Sequence, residues 1–377
     1  MHAAKMAEDR ELVPAQSKRC VDACAFPNWR HIPQLAARLP PSEVLPLPRS
    51  FVCWLLSDGV SVSSGSRAVP RTHSWPLPEQ VDSAFFANGG GELSIADNDE
   101  DDDDQGDAPP DMRQFPELEQ QIDDAIAGLG GAVLPKLDFS SPKDATWVSP
   151  DGSMRCTNAD EVALLLRCSD SAQHDLQHAY AHCDDFQGGL AEGFSHDFST
   201  PYPGDHSLPS PSLVLKAWQA HIQPSMEFRC FVRGGELACV CQRDIGNFYP
   251  FLISREVQAD ALATMKRFHE HVFKQCAPLK DCCVDVHVNG FDEKVDVLDI
   301  NPYGGATLPL LYDLSEIERN AQAVARSEME PQIRVVEKQG LIRPSLKLGV
   351  PVEFYDTSTG SALEQLMRIQ REQQQHK

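Results

Sequence analysis

Apolar positions recur at helical spacing through Phe115, Leu118, Ile122, Ile126 and Leu129, and Pro116 stands where a helix begins. Gly128, Gly130 and Gly131 close that predicted helix, and Ala132–Leu137 reads as the strand that follows. A second helix, capped by Thr157 or Asn158, places Val162, Leu165 and Leu166 on its apolar side. Further along, the period shortens to two. Leu213–Trp218 is a predicted strand, and Glu227–Arg233 and Glu236–Arg243 flank Gly234-Gly235 as a tight hairpin. Within it Glu227 and Arg229 share one face, while Phe228, Cys230 and Val232 share the other. A plain two-residue turn puts Arg243 on the face opposite Arg229, which leaves its role open unless a bulge turns it. Val257–Gln275 is helical in pattern. Val284–Gly290 and Val295–Pro302 then alternate β-branched and polar residues around Asn289-Gly290, the signal of a second hairpin. Phe51–Leu56 forms one apolar strand or helix upstream. Pro351–Tyr355 and a helix over Ala362–Gln373 are expected near the C-terminus, and no internal repeat is present.

These patterns divide the chain into a flexible leader (1–20), an N-terminal lead-in region (21–92), an acidic disordered loop (93–111), two α+β units (112–212 and 213–330) and a C-terminal extension with its helix (331–377). The acidic loop is set by Asp97–Asp107, which is nearly all carboxylate and has no means of building a core. Net charge is −23 over 377 residues, and no basic stripe is visible, so direct binding of nucleic acid is not expected. A field of that sign favours basic protein surfaces, and it repels phosphates wherever lysines or a metal do not intervene. The twelve cysteines lack zinc-site spacing, and several, such as Cys230, Cys239 and Cys241, fall in apolar strand patterns as small core residues. With no apolar leader and no membrane-spanning run, the chain reads as reduced and cytoplasmic.

The candidate chemistry lies in the second hairpin. A five-residue loop, Gly290–Lys294, sets Asp285 across from Asp299, with Asn301 two residues along on the same face. Two carboxylates and an amide oxygen make a hard-oxygen cage suited to Mg²⁺, with positions left for waters and a nucleotide's phosphates. Exposed strands often carry carboxylates for solubility alone, and a lone lysine is ordinarily a solvated surface group. Here, however, Lys136, Lys143, Lys216 and Arg229 precede the acidic pair, three of them on predicted strands. Cations to hold phosphates and acids to hold the metal together suit a triphosphate.

At these positions the chain resembles the cell division cycle protein 123 family, a eukaryotic ATP-grasp branch. The resemblance rests on Phe115-Pro116-Glu117, Gly130-Gly131 with Pro135-Lys136-Leu137, Pro142-Lys143-Asp144-Ala145 and Leu213-Val214-Leu215-Lys216 with Trp218. It continues through Glu227-Phe228-Arg229-Cys230-Phe231-Val232, Gln242-Arg243-Asp244 and Asp299-Ile300-Asn301-Pro302. It implies an α+β, ATP-grasp-like fold in which the two α+β units are subdomains with antiparallel sheets that clasp ATP and Mg²⁺. It implies that Lys136 and Lys216 face phosphate, that Ser141 and Lys143 belong to the nucleotide site, and that Glu227 and Arg229 line the cleft. Trp218 and Gln219 would pass beside the adenine, and Asp285, Asp299 and Asn301 would hold the metal. Lys216 stands where relatives often have arginine, which keeps the charge without the bidentate fork. Gln219 replaces a small hinge residue. The implied role is an assembly chaperone, expected to be monomeric, that binds the gamma subunit of eukaryotic translation initiation factor 2, with no conventional turnover. An ATP-grasp ligase that forms an amide through an acyl-phosphate uses the same nucleotide residues and is the alternative.

Overall fold

The structure is a computed structural model that describes residues 16–57, 67–68, 112–185, 211–289 and 294–338. The acidic run 97–107, the expected strand 351–355 and the expected helix 362–373 lie outside the described residues. Among the described residues, eight strands form two sheets: β1 (Ser42–Pro46), β2 (Val133–Lys136), β3 (Ser212–Ala217), β4 (Glu227–Arg233), β5 (Glu236–Gln242), β6 (Cys282–Asn289), β7 (Lys294–Pro302) and β8 (Gln332–Arg334). The small sheet runs β1-β3-β2, and the large one runs β7-β6-β4-β5-β8. The small sheet is wholly antiparallel, whereas β8 joins β5 in parallel, so the large sheet is mixed rather than antiparallel throughout. A parallel partner has to arrive by a crossover, and the helix Leu314–Ala325 supplies it.

Alternation along β3 explains how the units stack. Leu213 and Leu215 point into a core with the helices Arg49–Leu55, Pro116–Gly128 and Ala159–Arg167, while Val214 points the other way, into the core of the large sheet. β3 follows the boundary at residue 212 in sequence, yet it pairs with β1 and β2 and completes the small sheet. On the large sheet, Phe228, Cys230, Val284, Val286, Val297 and Ile300 pack with Met265 and Phe268 of the helix Arg255–Phe268. The opposite face is divided. Phe231, Cys239, Cys241 and Cys283 are covered by Ile317 and Ala321, and the remainder of that face is charged.

Both predicted hairpins form, but each carries a bulge. β4 and β5 turn at Gly234-Gly235 in left-handed backbone (φ 59° and 85°), which glycine adopts without a Cβ clash. The register then slips so that Phe231 faces Cys239, leaving Ala238 extra and turning Arg243 onto the face of Arg229. The second hairpin pairs Asn289 with Lys294, so four residues lie between the strands rather than the expected loop of five. An extra residue at Leu298 restores the expected pairing of Asp285 with Asp299.

Residues 16–20 are docked rather than part of a free leader. Gln16 is buried and donates its amide to the Tyr303 carbonyl at 2.9 Å, and Ser17 caps a helix over Lys18–Cys24. All twelve cysteines are free thiols. No helix among the described residues is long and apolar enough to cross a membrane.

The helix Leu314–Ala325 opens with a capping box between Asp313 and Glu316, and Glu316 also takes both Arg334 amino groups, at 3.0 and 2.9 Å, tying β8 to the helix. The Arg334 bonds lead in holding the Glu316 carboxyl down at about 2. A depressed carboxylate adds stability that is fully present above the ordinary glutamate value and is lost as pH falls toward the folded value. A Glu316→Gln variant is therefore expected to be less stable than wild type at pH 7, the gap closing as pH falls from about 4.5 toward 2. Urea midpoints across that range measure it, and a gap independent of pH would refute the pairing.

Candidate functional site

Lys136 and Lys216 leave the same face of the small sheet, because Lys136 pairs with Val214, two residues from Lys216 on β3. Lys136 is fully buried and Lys216 nearly so. Beneath them lies Phe26, its ring centroid 5.4 Å from the Lys136 ammonium and 4.4 Å from that of Lys216. Lys136 donates to Asp299 Oδ1 at 3.0 Å and Lys216 to the Leu298 carbonyl at 2.6 Å, so both lysines of the small sheet reach β7 of the large one. Burial, and after it the neighbouring Lys136, pushes the Lys216 ammonium down to about 7.

On the large sheet Arg229 faces Asp285 across the β4–β6 pair and binds it as a fork, Nε to Oδ1 at 2.7 Å and Nη2 to Oδ2 at 2.8 Å. Arg243, turned inward by the Ala238 bulge, adds a bond from Nε to Asp285 Oδ2 at 2.9 Å. Burial opposes charge on Asp285, but Arg229 and then Arg243 outweigh it and hold the carboxyl well below the usual range. Lys143 crosses from the loop after β2 to Glu227 Oε2 at 2.8 Å. The sites expected at Lys136, Lys143, Lys216, Glu227, Arg229, Asp285 and Asp299 thus lie in a network of separate bonded pairs on neighbouring strands, Lys136 with Asp299, Lys143 with Glu227 and Arg229 with Asp285, with Lys216 on the Leu298 carbonyl. Trp218 and Gln219 follow the end of β3, both half-buried; neither side chain bonds to the described members of that network.

The oxygen donors fit a hard divalent cation. Asp299 Oδ1 accepts from Lys136 and from the Ile300 N–H, which leaves Oδ2 without a partner among the described residues. Asn301, half-buried and on the same face, makes no side-chain hydrogen bond there either. Three donated bonds on Asp285 leave one lone-pair direction of about four. Oxygen donors on adjacent strands that keep open lone pairs suit Mg²⁺, which completes its octahedron with water or phosphate oxygens.

Three residues of this neighbourhood could not be placed there from the sequence. Arg243 required the bulge. Phe26 lies in a region with no pattern linking it to the lysines. Asp175, on the helix Asp170–His178, binds Ser140 in the loop after β2, and burial above all pushes its carboxyl up to about 7 against those bonds.

The chain matches the D123 family over residues 31–358. It is 33% identical over 331 residues to a protein of Schizosaccharomyces pombe named translation initiation factor eIF2 assembly protein, covering 85% of this chain and 84% of that one. A protein of the same name from Botryotinia fuckeliana is 33% identical over 300 residues, covering 78% of this chain; the match spans 63% of the relative's own length. The solved structure of Cdc123 from Schizosaccharomyces pombe superposes with a TM-score of 0.60 at 29% identity, covering 86% of this chain and 99% of that one. The mixed α+β architecture is therefore shared with a solved relative, and the chain belongs to the D123 family.

Proposed function

We propose that this chain is an ATP- and magnesium-binding assembly chaperone for translation initiation factor 2 and that the gamma subunit of that factor is what it binds. One observation carries the nucleotide part. Lys136, Lys143, Lys216, Arg229 and Arg243 converge from two sheets on the strands that carry Glu227, Asp285 and Asp299, in a chain of net charge −23. A surface evolved only for solubility has no reason to bury Lys136 and Lys216 on one sheet and aim them at the Asp299 carboxylate and the Leu298 carbonyl of another, since each buried ammonium carries a desolvation cost. The same arrangement suits a polyphosphate, whose oxygens would exchange with the Asp299 and Glu227 carboxylates and the Leu298 carbonyl as partners for Lys136, Lys143 and Lys216.

In this reading Asp285, Asp299 and Asn301 would hold Mg²⁺, which when bound neutralises phosphate charge. Arg229 and Arg243 keep Asp285 ionised and oriented. Lys136 does the same for Asp299, donates a second N–H to the Asp138 carbonyl at 3.3 Å, and offers its third to phosphate. Glu227 holds Lys143 at the cleft until an anion competes for it. The partner rests on the relatives named as eIF2 assembly proteins, and the chain's negative field favours a basic protein surface.

Co-purification tests the proposal. The gamma subunit expressed alone is expected to be retained by the wild-type chain and to be recovered in lower yield with Lys136→Met, which keeps the buried stem and removes the phosphate donor. No retention by the wild type would overturn the chaperone reading. ADP release that appears only on addition of a carboxylate and an amine acceptor would replace it with a ligase.

A further inference from the structure

We propose that Asp175 is a positioning residue for the nucleotide: it fixes the loop after β2 so that Ser141 and Lys143 present their donors to the phosphates, an inference that rests on the nucleotide reading above. The loop is held from both directions. Asp175, on the helix Asp170–His178, accepts the Ser140 backbone N–H on Oδ2 at 2.6 Å and the Ser140 hydroxyl on Oδ1 at 2.8 Å, so both carboxylate oxygens serve one residue. From the loop side, Asp144 accepts the Ser169 hydroxyl at 2.7 Å and the Ser171 N–H at 3.1 Å, binding the far end of the loop to the start of the same helix.

Between the two anchors the backbone is tight. Leu137 N–H donates to the Ser140 carbonyl at 2.9 Å, and Lys143 N–H to that of Ser141 at 2.8 Å. Ser141 is the exception: neither its N–H nor its hydroxyl has a partner among the described residues, although its neighbours on both sides are bonded. A half-buried residue with two idle donors, held beside a lysine that already reaches the cleft, is what a phosphate-gripping loop requires. Asp175 lies near enough to the Lys136–Asp299 pair to feel both charges, so the helix places the loop against the same cluster.

Calorimetry on the full chain with Mg·ATP and with adenosine separates positioning from general support. For Asp175→Ala the Mg·ATP affinity is expected to fall about tenfold, equivalent to 1.4 kcal/mol, with adenosine affinity unchanged within about twofold. Ser140→Ala, which keeps the backbone bond, is expected to lose about threefold, and the double variant no more than Asp175→Ala, because both changes cut one clamp. Asp175→Asn, which keeps one acceptor, serves if the alanine variant does not fold and is expected to fall between wild type and the tenfold loss. If the wild type does not bind Mg·ATP, the nucleotide reading fails and the inference falls with it. If the wild type binds and the Asp175 variants either bind Mg·ATP equally well or lose ATP and adenosine in the same proportion, the inference is overturned and the nucleotide reading stands.

Discussion

Asp285→Ala is expected to lower the unfolding free energy by about 3–5 kcal/mol, the range for removing one partner of a buried ion pair. Arg229 is 5% exposed and uses both arms of its fork on Asp285, with Nη1 on the Leu308 carbonyl at 2.9 Å. Without the carboxylate, two of its donors lose their acceptor where water has little access, and Arg243 loses its partner as well. A second variant distinguishes this cost from the space left by the missing side chain. Replacing both members, Arg229→Met with Asp285→Leu, is expected to recover most of the loss, since a buried pair exchanged for apolar groups of similar volume is often neutral. Urea denaturation of the three chains measures this. A single variant as stable as wild type, or a double variant worse than the single one, would show that the pair does not carry the energy assigned to it.

Mg²⁺-dependent ATP binding is expected to disappear in Asp299→Asn, with affinity reduced by at least about 10–100-fold, the range that loss of even an outer-shell partner of a metal produces. Asparagine is the informative choice. Alanine would leave Lys136, fully buried, without its side-chain acceptor and so mix destabilisation into the readout. The amide keeps an oxygen for Lys136 and removes the anionic donor that a hard cation requires. Titrations with and without Mg²⁺, alongside a melting curve, read the two effects apart. Equal Mg·ATP affinity in variant and wild type would remove Asp299 from the metal site, and with it the hairpin assignment.

Much of the architecture was legible from local chemistry. The helix over Pro116–Gly128, the Asn158 cap and both hairpins follow from apolar spacing and glycine placement, which act within a few residues. The helix Leu314–Ala325 carried a readable signal, a capping box from Asp313 to Glu316, that stands out less than a long apolar stripe. β1 and β8 were not legible. One is a Pro-interrupted run and the other only three residues long, and each is a strand because of what it pairs with.

The sequence by itself determined which groups the cleft contains: the lysines, Arg229, the paired aspartates and Asn301, along with the family they resemble. Tertiary structure decided how those groups meet. Without the extra residue at Leu298, the four-residue connection would pair Asp285 with Leu298 and turn Asp299 toward the apolar face. Without the one at Ala238, Arg243 would point away from Asp285. A bulge is a single-residue slip that leaves almost no mark on an alternating pattern, yet it inverts every side chain beyond it. The other decisions are contacts across long separations, such as Lys136 with Asp299, Phe26 beneath two lysines, and Asp175 on Ser140. Periodicity reports which face of an element is buried; what that face meets is set only when the sheets pack against each other.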